Sequence, residues 1–63
     1  MMINETTIGN RKITLRRVAD RFIVKSVNTE TNTTVYLSSF RDQSVASGAY
    51  LIETEQAEAL LGR

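Results

Sequence analysis

The chain has no cysteine, no histidine, no proline and no tryptophan among its 63 residues. Without cysteine there is no disulfide, no thiolate metal site and no thiol nucleophile. Without histidine, the commonest general base and the commonest zinc ligand are both missing. The three glycines are isolated, so no glycine-rich loop can cradle a phosphate. No apolar run approaches the ~20 residues that span a bilayer. MMINETTIGN lacks the basic-then-apolar order of a signal peptide. These absences lead us to expect a cytoplasmic protein with no membrane partner, no cofactor and no metal. Asn4-Glu5-Thr6 and Asn32-Thr33-Thr34 match the glycosylation pattern, but without a secretory route they are not read as acceptors.

Length sets the next bound. A chain this short buries about 60% of its unfolded surface. With no staple available, self-association into a homo-oligomer, most simply a dimer, is the expected source of further stability. Charge is unevenly placed. Residues 1–41 carry seven Lys/Arg against three acids, a net +4, and residues 42–63 carry four acids against Arg63, a net −3. The plain reading is a wet sheet and a wet helix that attract each other. The sharper reading is a polar partner surface.

What the sequence does contain is alternation. In RKITLRRV, Ile13 and Leu15 alternate with Lys12, Thr14 and Arg16. In RFIVKSV, Phe22 and Val24 lie on one side and Ile23, Lys25 and Val27 on the other; TTVYLSSF sets Val35 and Leu37 against Thr34, Tyr36 and Ser38. Period two in segments rich in β-branched and aromatic residues predicts strands. Gly9-Asn10 and Ala19-Asp20 read as two-residue hairpin turns, with glycine first suiting type II′. The threonine-rich stretch VNTETNTTV supplies a four-residue turn at 29–32. Turn length sets register, and register sets faces. A regular ladder places Ile13, Leu15, Phe22, Val24, Val35 and Leu37 on a core face. It places Lys12, Arg16, Ile23, Lys25 and Tyr36 on an open face.

After residue 41 the period changes. Val45, Ala49, Ile52, Gln56, Ala59 and Leu60 recur at helical spacing. Asp42 is the first choice of N-cap, with Ser39 and Ser44 as rivals, and Gly62 suits the stop. Gly48 lies inside the helix, where a close approach to the sheet would explain it. The expected fold is α+β: an antiparallel β-meander of three or four strands, then one C-terminal helix on one sheet face. The whole chain, 1–63, is read as one small domain. Its strands fall at about 2–8, 11–18, 21–28 and 33–40 and its helix at about 42–61. Tyr50, Leu51 and Leu61 flank or oppose the helix's inward stripe and are the candidate oligomer seam.

No catalytic constellation emerges. Glu53 and Glu55 diverge on a helix, Glu55 and Glu58 have no pocket, and the serines have no histidine to activate them. A cleft of the ~300 Å³ that ligand sites need is hard to build in a chain of this size. The protein is therefore read as a non-enzyme. The candidate partner-binding residues are Lys12, Arg16, Ile23, Lys25 and Tyr36 on the open sheet face, and the two edge strands offer a second route. A protein partner ranks first, with the chain acting as a small regulator or inhibitor of the kind that phages and mobile elements encode. Nucleic acid is the alternative, carried by Lys12, Arg16, Lys25 and Tyr36. An open sheet face backed by one helix is similar in architecture to the integrase arm-binding domains, although the tryptophan and glycine pattern of that family is missing here. The third reading is a structural subunit of a homo-oligomer.

Overall fold

Tight turns and alternating strands fold the first forty residues into a meander. In the computed structural model, which describes residues 1–62, four strands form one antiparallel sheet in the order β1-β2-β3-β4. They are β1 (Met2–Ile8), β2 (Arg11–Val18), β3 (Arg21–Asn28) and β4 (Thr33–Phe40), and a single helix, α1 (Gln43–Leu61), follows. The helix lies across one face of the sheet, over β2 and β3. Strands β1 and β4 are the two edges.

The turns follow from backbone chemistry. Gly9 has a φ of 59° and Ala19 a φ of 57°, each at the first position of a two-residue hairpin. Glycine reaches that region freely, whereas alanine is strained there. A Cβ on Gly9 would also sit 3.2 Å from Leu61 Cδ1. In the third turn the Asn28 side-chain oxygen accepts from the Glu30 and Thr31 N–H groups, at 3.0 and 3.3 Å. Asn32 closes the turn in the left-handed region, which asparagine tolerates.

Strands β2 and β3 pair without interruption, with Arg17 opposite Phe22, Leu15 opposite Val24 and Ile13 opposite Ser26. The β3–β4 ladder departs from the regular register. Asn28 opposes Thr33 and Val27 opposes Thr34, but Ser26 then opposes Tyr36. Val35 is the extra residue of a β-bulge, and a one-residue slip moves every later side chain to the other face. Tyr36, Ser38 and Phe40 therefore share the helix face with Ser26, Val24 and Phe22. This corrects the sequence reading: Val35 and Leu37 leave the core, and Tyr36 leaves the open face. Tyr36 and Phe40 pack against the core, while Leu37 is 63% exposed.

The helix is turned as well. Its buried residues are Ala46, Tyr50 and Ala57, and Val45, Ile52 and Leu60 are exposed. The inward stripe is displaced by one residue, about 100° of rotation, from the Val45–Ile52 line. The alanines let the helix approach the sheet, and the space beside them is filled by Tyr36, Phe40 and Tyr50, whose large apolar areas outweigh those of Val45 and Ile52. Sheet residues Ile13, Leu15 and Val24 complete the core. Asp42 is the N-cap, accepting from the Ser44 N–H at 2.8 Å and from the Ser44 hydroxyl at 2.7 Å. Gly48 is not a contact glycine: a Cβ there would meet nothing within 4 Å.

Candidate binding face of the sheet

The pleat sends every second side chain away from the helix, and the register arranges those side chains in rungs. One rung runs Met2, Arg16, Ile23, Ser39. The next runs Glu5, Thr14, Lys25, Leu37, and the third runs Thr7, Lys12, Val27, Thr34. Four of the five residues expected on this face, Lys12, Arg16, Ile23 and Lys25, are brought together here. Tyr36 is not.

Position in the rungs sets each charge. Lys12 Nζ lies 2.9 Å from Glu5 Oε2, with both side chains about half exposed. Such a surface pair contributes ~0–1 kcal/mol, but it lowers the local positive potential. Arg16 and Lys25 have no ion-pair partner among the described residues. Thr14 lies between Lys12 and Arg16 on its strand and between Glu5 and Lys25 across the sheet; it is buried although it faces away from the helix. Long neighbouring side chains cover it. Around it is an open hollow of about 460 Å³, lined in part by Met2, Glu5, Lys12, Arg16 and Lys25. The hollow is larger than the ~300 Å³ that ligand sites need, but it is open to solvent rather than an enclosed cleft.

Leu37 beside Lys25, and Met2 and Ile23 beside Arg16, put apolar area next to unpaired cations. The regular-ladder reading missed Leu37 as a surface residue. The signal lay in TTVYLSSF itself, where Tyr36 and Phe40 share one parity and Val35 and Leu37 the other, so one extra residue decides which pair is buried. All four aromatics of the chain, Phe22, Tyr36, Phe40 and Tyr50, lie on the helix side. The open face therefore has no ring for base stacking.

The three seam candidates do not form one surface. Tyr50 is 5% exposed and belongs to the core, so it is withdrawn as an interface residue. Leu51 is exposed on the side of the helix turned from the sheet, and Leu61 is exposed near the β1–β2 turn, by Gly9. Among the described residues, no group of three acids, histidines or cysteines is placed to hold a metal, and no helix is long and apolar enough to cross a membrane. Comparison with known proteins returns no match: no family model fits the chain, and no curated protein or solved structure is similar to it.

Proposed function

We propose that this is a non-enzymatic binding protein, a small regulator or inhibitor that grips a larger protein through the open face of its sheet. The observation that carries the reading is Leu37, 63% exposed and paired across the ladder with Lys25, whose charge has no partner among the described residues. Exposed apolar area rimmed by polar groups is the usual composition of a protein-binding surface. The matching surface would be apolar at its centre and acidic at its margin.

A photo-cross-linking residue at Leu37, in extract from the source cell, should give one discrete adduct. The same residue at Asp20, in the β2–β3 turn, should give none, and Arg16→Glu with Lys25→Glu should abolish the Leu37 adduct. Equal labelling from both positions would sink the proposal.

Unpaired Arg16 and Lys25 favour a second reading, a nucleic-acid partner. Anisotropy of labelled duplex DNA, single-stranded DNA and RNA at two salt concentrations separates the two. Binding that falls steeply with salt would replace the protein reading, and no binding at low salt would remove the alternative.

A further inference from the structure

The molecule is a slab of two layers whose outer surfaces differ in charge, although Arg11 and Arg17 stand on the helix side of the sheet. On the open sheet, Lys12, Arg16 and Lys25 face one acid, Glu5. Helix α1 carries Glu53, Glu55 and Glu58 and no Lys or Arg. None of these glutamates forms an ion pair with a sheet cation among the described residues. The attraction expected between sheet and helix is therefore not realised as contacts inside one chain.

Exposed apolar residues divide in the same way. Met2, Val18 and Leu37 lie on the open sheet, and Leu51 and Ile52 on the helix away from it. Leu51, Glu55 and Glu58 follow i, i+4, i+7 spacing and share one ridge, and Ile52 stands beside it, three residues before Glu55. Each surface thus has an apolar centre beside charge, and the two signs are opposite.

We propose that the occupant of the open sheet face is a second copy of this chain, docked by the outer ridge of its helix. Leu51 and Ile52 of one copy lie against Leu37 and Ile23 of the next, and Glu55 and Glu58 reach Arg16 and Lys25 around the 460 Å³ hollow. The lengths agree: a helix of 19 residues is about 28 Å long and a strand of 8 residues about 27 Å. Pairing like with like is disfavoured, because two sheet faces oppose Arg16 and Lys25 to their own copies, and two helix ridges do the same with Glu55 and Glu58. The contact is head to tail, so copies add in one direction as a ring or an open stack. Every inner sheet is then covered on both faces by helices, a layered arrangement that buries both surfaces. The inference rests on the open face being a protein-binding surface, and it names a second copy of the chain as the occupant in place of a larger protein.

Sedimentation velocity over a concentration series tests it. The wild type should rise in mass above the 7.1 kDa monomer. Arg16→Glu/Lys25→Glu and, separately, Glu55→Lys/Glu58→Lys should each stay monomeric, and an equimolar mixture should regain assembly because each altered face finds its new complement. Circular dichroism verifies that both variants fold. Net charge alone could bring the two variants together, so a second measurement fixes the geometry. Leu37→Cys and Ile52→Cys, each the sole cysteine in its chain, are mixed with a short bis-maleimide. The 37–52 product should dominate over 37–37 and 52–52. A wild type monomeric throughout, or dominant 37–37 product, would overturn the proposal. A monomeric wild type whose Leu37 still cross-links to a different protein would leave the open-face reading standing, and loss of both would remove both.

Discussion

The Tyr50 hydroxyl shares a hydrogen bond with the Thr6 hydroxyl, fastening the middle of the helix to edge strand β1, 44 residues earlier in the chain. The phenol ring fills the core and its polar tip is satisfied at the boundary, the arrangement that makes a buried tyrosine stable. Tyr50→Phe should keep the packing and strand the half-buried Thr6 hydroxyl, lowering stability by about 1 kcal/mol in urea unfolding. Tyr50→Ala should cost about 3 kcal/mol or more, a large part of what a domain this small possesses. If Tyr50→Phe proves neutral, the hydrogen bond contributes nothing net.

The bulge at Val35 makes a prediction opposite to that of a regular ladder. Tyr36→Ala should cost about 2 kcal/mol, because Tyr36 packs on the core. Leu37→Thr should cost under about 0.5 kcal/mol, because Leu37 is exposed. A regular register would reverse the order, and thermal melts of the two variants decide it.

Two opposite exchanges should both stabilise. At Ala19, φ is 57°, so Ala19→Gly relieves left-handed strain worth about 1 kcal/mol. At Gly48 a Cβ would enter open space, so Gly48→Ala gains about 1 kcal/mol of helix propensity. Each should raise the melting temperature by about 5 °C. No rise at Gly48 would mean that the helix needs its glycine for something outside this chain.

Ser26 is 0% exposed, and its hydroxyl has no hydrogen-bond partner among the described residues. Ser26→Ala removes an unpaired polar atom with little change of volume, and should stabilise by about 1 kcal/mol. Destabilisation in chemical denaturation would show that the hydroxyl is satisfied in solution.

Asp42 gives a pH dependence whose sign is fixed. Bonds from the Ser44 hydroxyl, then the Ser44 N–H, then the Val45 N–H, hold its carboxyl below the ordinary 3.8. A lowered folded value contributes stability that is fully present above 3.8 and is lost as pH falls through the lower value. Asp42→Asn keeps an accepting oxygen but does not titrate in this range. Acid unfolding of the variant should therefore have a shallower limb below pH 3.8 than the wild type. Identical limbs would show that the cap carries no linkage.

The sequence by itself determined β2, β3 and β4, their turns and the helix; it left β1 open and put Asp42 first among three caps. Those features depend on neighbours a few residues apart: alternation in RKITLRRV, Gly9 and Asn28 at turns, Asp42 two residues before Ser44. It also brought Lys12, Arg16, Ile23 and Lys25 to one face, because the β2–β3 hairpin has a tight turn and an unbroken ladder. Only the tertiary structure decided the fate of β4 and the rotation of α1. TTVYLSSF has apolar residues of both parities, and the helix has apolar residues on two stripes, so local pattern leaves both choices open. Packing between layers settles them together. The small faces of Ala46 and Ala57 admit Tyr36, Phe40 and Tyr50 to the core, and the bulge at Val35 is the backbone change that turns Tyr36 inward and Leu37 out.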